Sequence, residues 1–142
     1  GTENVAGVVG FGAAASLARE SLPADAVRVA ALRDRLEARL LAIPGARRNG
    51  EGPRVPNTTN VSFEAVEAEG LLIALDLEGI AVSTGAACAA GGIEPSHVLR
   101  AMGLSPERVE SSLRLSLGRA TTEPEVDHAA DVVAAVVARQ RR

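Results

Sequence analysis

The hydrophobic pattern changes period several times along the chain, and each change marks an element. Val5, Val8, Val9 and Phe11 give an apolar side to a first helix that Thr2 would open as N-cap, with Glu3 and Asn4 following. Gly7, Gly10 and Gly12 lie inside that helix, where glycine is unfavourable, and point to close packing by another element. Pro23 reads as the start of a second helix to about Ile43, in which Val27, Ala30, Ala31, Leu36 and Leu40 alternate with charges at helical spacing. Pro44-Gly45 stops it, and a polar stretch over 46–56, with the turn-prone Asn49-Gly50, carries no element signal. Asn60 to Phe63 alternates as a short strand, and Ala68 to Leu77 is an apolar helix ended by Gly79. Ile80 to Val82 reads as a short strand entering a loop, 83–93. Pro95-Ser96 opens a helix through Met102, and Ser105-Pro106-Glu107 opens another short one. Ser112 to Leu117 alternates again as a strand. Thr122-Glu123-Pro124-Glu125 opens the last helix as a capping box, and its basic end, Arg139-Gln140-Arg141-Arg142, suits a helix C-terminus.

This order predicts an α+β fold: a small, mainly antiparallel sheet covered by helices. At 142 residues the chain is long enough to bury a core, and 46% of it is hydrophobic. Phe11 and Phe63 are its only aromatic residues, so the core must be built from Ala, Val, Leu and Ile. Stacking platforms for single-stranded nucleic acid need aromatic rings, and a net charge of -3 offers no attraction to DNA or an anionic membrane. Neither nucleic-acid nor membrane partners are therefore expected. The apolar runs are too short to span a bilayer, and no signal peptide is visible. The start at Gly1 instead of Met points to a fragment, a trimmed chain or a processed product. One cysteine cannot form an internal disulfide, which fits a reducing, cytoplasmic compartment.

That cysteine, Cys88, is the first candidate for chemistry. A lone Cys among apolar residues is ordinarily a buried structural one. Here Gly85, Gly91, Gly92 and several Ala surround it, leaving a thiol with little steric cover on a segment expected to move. No charged residue stands between Glu78 and Glu94, so nothing near it in sequence lowers the thiol's pKa. Arg114 alternates with Leu113 and Leu115 and faces away from them. It reads either as an ordinary exposed Arg or as a fork for a substrate carboxylate. His97 and His128 are too far apart and too poorly supported to suggest a metal site.

Gly1-Thr2-Glu3-Asn4-Val5-Ala6-Gly7, Pro56-Asn57-Thr58-Thr59-Asn60-Val61-Ser62-Phe63 and Val82-Ser83-Thr84-Gly85-Ala86-Ala87-Cys88 form ordered blocks along the chain. With Glu94-Pro95-Ser96-His97-Val98-Leu99 and Ser112-Leu113-Arg114-Leu115-Ser116-Leu117-Gly118-Arg119, they resemble the cysteine desulfurases of iron–sulfur cluster assembly. The resemblance runs from Gly1 to about Asp127. It implies a class V aminotransferase-like, fold-type I enzyme that uses pyridoxal phosphate to convert L-cysteine to L-alanine. By position in the motifs, Cys88 would be the nucleophile that carries the sulfur as a persulfide. Arg114 would bind the substrate carboxylate, and Thr2 would reach the cofactor phosphate across a homodimer interface. Residues 1–20 would be a helix connecting from a cofactor-binding domain, and 21–142 the small C-terminal domain carrying the Cys loop.

One departure outweighs these matches. Every one of the fifteen basic residues is Arg, so no lysine exists here to form the cofactor's internal Schiff base. The cofactor would be held mostly by a domain missing from this chain, and the chain alone should be inactive. Two alternatives stay open: a non-catalytic sulfur-relay or interaction module, and a selenocysteine lyase or cysteine sulfinate desulfinase on the same scaffold. The sulfur acceptor, an iron–sulfur scaffold protein or a thiolation enzyme, is not legible in the residues.

Overall fold

The computed structural model describes residues 1–84 and 95–141. Its elements, in chain order, are α1 (Val5–Leu41), β1 (Ala46–Arg48), β2 (Thr58–Phe63), α2 (Ala68–Leu77), α3 (His97–Ala101), α4 (Pro106–Glu110), β3 (Ser112–Ser116) and α5 (Glu123–Gln140). The three strands form one antiparallel sheet in the order β1-β2-β3. Helices α1, α2 and α5 cover one face, as the α+β pattern predicts.

The register follows from the alternation. Val61, Phe63, Leu113 and Leu115 are buried on the helix side. They meet Leu32, Leu36 and Leu40 of α1, Leu71 and Leu75 of α2, and Val126, Val133, Val136 and Val137 of α5. Phe63 is the one aromatic ring in this core; every other member is aliphatic. Phe11, the second Phe of the chain, is 79% exposed.

Three expectations about the first half are corrected. There is one helix, not two: α1 passes through Pro23 without stopping. Around Pro23 the helix is exposed to solvent, so water can satisfy the carbonyl that loses its N–H partner. The helix also starts later than Thr2. Asn4 is the cap, its Oδ1 accepting from the Gly7 N–H at 3.0 Å, and Thr2 lies outside. Asn4 also explains Gly7, where a Cβ would sit 2.6 Å from the Asn4 Nδ2. Gly10 and Gly12 face open space, so among the described residues nothing packs closely against them.

Two further differences concern strands. Ala46–Arg48, unmarked in the sequence, pairs with β2 as an edge strand whose Arg47 and Arg48 are exposed. Ile80 to Val82 is not a strand; only Ser83 forms an isolated bridge, with Arg114. Elsewhere the local signals hold. Ser96 caps α3 and Pro106 occupies the first turn of α4. In the α5 capping box, Glu125 reaches back to accept from the Thr122 N–H at 2.8 Å. The basic end of α5 does more than balance the helix dipole. Arg141 donates to the Glu64 and Pro44 carbonyls at 2.9 and 2.8 Å, tying the C-terminus to both loops that flank β1 and β2.

Candidate active site

The sheet face turned away from α1, α2 and α5 is polar throughout, and α4 packs at one end of it. Strand alternation puts Thr58, Asn60 and Ser62 of β2 on it beside Ser112, Arg114 and Ser116 of β3. Arg114 stands at its centre, half-buried, directly opposite Asn60. Both main-chain groups of Arg114 face the other way: its N–H donates to the Ser83 carbonyl at 2.6 Å, and its carbonyl accepts from the Ser83 N–H at 3.1 Å. Towards β2 it therefore forms a non-hydrogen-bonded pair with Asn60, the arrangement in which opposite side chains come closest, about 4.5 Å between Cα atoms.

Asn49, just past β1, continues this row. Its N–H donates to the Asn60 carbonyl at 2.8 Å. Its buried side-chain Nδ2 donates to Asn60 Oδ1 and to Ser112 Oγ, both at 2.7 Å. Arg108 of α4 donates to Asn49 Oδ1 at 2.6 Å and to the Arg48 carbonyl at 3.1 Å. Asn49, Asn60, Arg114 and Ser83 thus lie in one line across the sheet. Sequence reasoning found Arg114 but missed Asn49 and Asn60. The available signal was the polar residue at every second position of β2 and β3.

A second charged cluster sits on the helix side. Glu37 of α1 is buried, and Arg54 donates to both of its carboxylate oxygens. Thr59 Oγ1 adds a hydrogen bond at 2.5 Å and Arg48 a longer ion pair at 3.5 Å. Hydrogen bonding from Arg54 above all, opposed by burial and helped by Thr59, lowers the Glu37 pKa to about 2. With both carboxylate oxygens hydrogen-bonded, this cluster holds the loop before β2 against α1.

The other sequence candidates are not gathered here. Thr2 is exposed ahead of α1, and roughly 35 Å of helix separates it from Val29, the first buried residue of α1. Cys88 lies outside the described residues, as does most of the 83–93 loop; the chain leaves the described region after Thr84, next to the Ser83–Arg114 pair. His97 and His128 are exposed on α3 and α5. A cavity of about 820 Å³ bordered by Arg47, Ser62, Glu64 and Arg108 lies at the far end of the polar face and does not include Arg114.

Comparison with known proteins gives a consistent result. Residues 1–129 match the family model described as aminotransferase class-V. A cysteine desulfurase of Nostoc sp. (strain PCC 7120) is 47% identical over 99% of this chain and 36% of its own length. One from Klebsiella pneumoniae is 45% identical with the same coverage. Among solved structures, a NifS-like protein from Rickettsia africae superposes with a TM-score of 0.82 at 30% identity, over 96% of this chain and 35% of its own. Another NifS-like protein gives 0.85 at 31% identity, over 98% of this chain and 35% of its own. The chain spans just over a third of the length of the curated relatives it matches.

Proposed function

This chain belongs to the class-V aminotransferase family, and we propose that it is the small C-terminal domain of a cysteine desulfurase. The observation that carries the proposal is the position of Arg114. It is fixed at the centre of a polar sheet face, with its backbone bonded to Ser83, where the chain turns into the Cys88 segment. A planar guanidinium can hold an amino-acid carboxylate through two parallel hydrogen bonds and so fix the substrate's orientation. The thiol of Cys88 takes the sulfur, with the net change L-cysteine plus Cys88 thiol giving L-alanine plus Cys88 persulfide. No external oxidant is required: as the carbon–sulfur bond breaks and the sulfur–sulfur bond forms, the two electrons given up at sulfur reduce the carbon that becomes the methyl group of alanine, and the proton lost from the thiol is balanced by the one that carbon gains.

The residues present do not by themselves fit pyridoxal phosphate. The chain has no lysine to bond the cofactor's aldehyde, and its one candidate phosphate ligand, Thr2, stands exposed before the Asn4 cap. In this reading the cofactor belongs mostly to a separate domain, for which residues 1–20 are the connecting helix and 21–142 the small domain. The length of α1 separating Thr2 from the sheet supports a Thr2 that serves the partner's site in a homodimer. The persulfide then passes to an acceptor protein such as an iron–sulfur scaffold. A single thiol without a disulfide partner suits a reducing cytoplasm. Among the described residues no helix is long and apolar enough to cross a membrane.

The test is on the full-length protein. After incubation with L-cysteine, the peptide containing Cys88 should gain one sulfur atom by mass spectrometry, and alanine should be released. Cys88→Ala should abolish the sulfur adduct while cofactor content stays the same. Full sulfur loading elsewhere in the Cys88→Ala protein would defeat the proposal. A wild-type protein that loads sulfur only from a partner's persulfide would point to the relay module.

A further inference from the structure

The hydrogen bonds on the polar sheet face have a direction, and Arg108 sets it. A guanidinium can only donate, so the 2.6 Å contact from Arg108 requires an oxygen from Asn49 and fixes that amide's orientation. The Asn49 Nδ2 is then turned to Asn60 and Ser112, and at 2.7 Å from Asn60 it requires an oxygen there too. With its oxygen held on the Asn49 side, Asn60 turns its amide N–H groups the other way. Among the described residues these donors have no partner. They stand in the close, non-hydrogen-bonded pair opposite Arg114, on the same face. A guanidinium beside an amide whose oxygen is turned to Asn49, and whose N–H groups are thereby turned outward, is a surface for an anion.

We infer that Asn60 is a second contact for the substrate carboxylate, adjoining Arg114, and that Asn49 is the positioning residue that holds its amide with the N–H groups outward. The inference rests on the reading of Arg114 as the carboxylate fork. It adds a residue that the motif resemblance does not single out for this role. Asn60 distinguishes an amino acid from the corresponding amine: L-cysteine gains its donors, whereas cysteamine, which has the same thiol and amine but no carboxylate, does not.

The experiment uses the full-length enzyme with its cofactor. Asn60→Asp keeps the oxygen that Asn49 bonds but replaces the donors with a second negative oxygen beside the substrate. The KM for L-cysteine should rise roughly 10- to 100-fold, with kcat changing far less. Competitive inhibition by cysteamine should be unaffected, a selectivity that loosened packing would not produce. Asn60→Ala, which removes the donors without adding charge, should raise KM by a smaller factor and serves if Asn60→Asp fails to fold. Arg114→Gln is measured alongside. If Arg114→Gln raises KM and both Asn60 variants leave it unchanged, the Asn60 inference fails and the Arg114 reading stands. If none of the three changes KM, both fail. Equal weakening toward L-cysteine and cysteamine in the Asn60 variants would also overturn the inference, since it would indicate general damage.

Discussion

Glu37 and Arg54 join two parts of the chain that share no local pattern, and the join depends on charge. Its pKa is held at about 2, chiefly by Arg54, against an ordinary value of 4.5. A depressed folded-state pKa contributes stability that is fully present above the unfolded value and is lost as pH falls through the folded one. The difference corresponds to at most about 3 kcal/mol. Thermal stability of the chain should therefore decline between about pH 4.5 and 2, beyond the general effect of carboxylate protonation. Glu37→Gln should flatten that part of the profile and lower stability at pH 7 by about 1–3 kcal/mol, since Arg54 keeps only the longer contact to Asp34 at 3.3 Å as an ion pair. Melting curves across pH for both proteins check this; parallel profiles would remove Glu37 from the account. Asp127 is likewise lowered to about 2, by Arg35 first and then Arg39, and links α5 to α1 at the surface. The contrast with Arg114 is instructive. The structural acid is saturated with donors, whereas the residues proposed for substrate binding lie on a face that helices α1, α2 and α5 leave uncovered.

At the scale of elements, the turn between α1 and β1 shows how tightly the sheet is fitted to the helix layer. Gly45 has φ of +70°, and a Cβ there would sit 2.9 Å from Glu64 Cβ. Its carbonyl accepts from the Glu64 N–H at 3.1 Å, and Arg141 arrives from α5 to bond Pro44 and Glu64. Gly45→Ala adds both backbone strain and a contact that the neighbouring loop must yield to. It should cost about 1–3 kcal/mol, read as a lower denaturation midpoint with an unchanged denaturant slope. An alanine tolerated without loss would mean that the turn rearranges freely. Pro44-Gly45 was legible as a stop signal because both residues act through their own backbones. β1 was not: Ala46-Arg47-Arg48 has neither alternation nor strand propensity. It becomes a strand only because β2 offers it hydrogen-bond partners.

For the whole molecule, the burial is lopsided. Every residue from 1 to 20 is exposed, including Val5, Val8, Val9, Phe11 and Leu17, while the core gathers around the C-terminal part of α1, the sheet, α2 and α5. Removing residues 1–20 should therefore shift the midpoint of thermal unfolding by less than about 4 °C, equivalent to roughly 1 kcal/mol. The shortened helix would begin near Pro23, a favourable place for proline. A fall of more than about 10 °C would show that this segment is part of the domain's own fold. The amino-acid sequence by itself determined most of the elements, the caps at Ser96 and Thr122, the place of Arg114 in an alternating strand, and the family. Each of these rests on periods, caps and motifs that are written within a few neighbouring residues. Tertiary structure alone decided that α1 runs on through Pro23, that β1 exists, and that Asn49, Asn60, Arg114 and Ser83 stand in one row. Their sequence separations are large, and it is the pairing of distant backbones, with the need to give each buried polar group a partner, that brings them together.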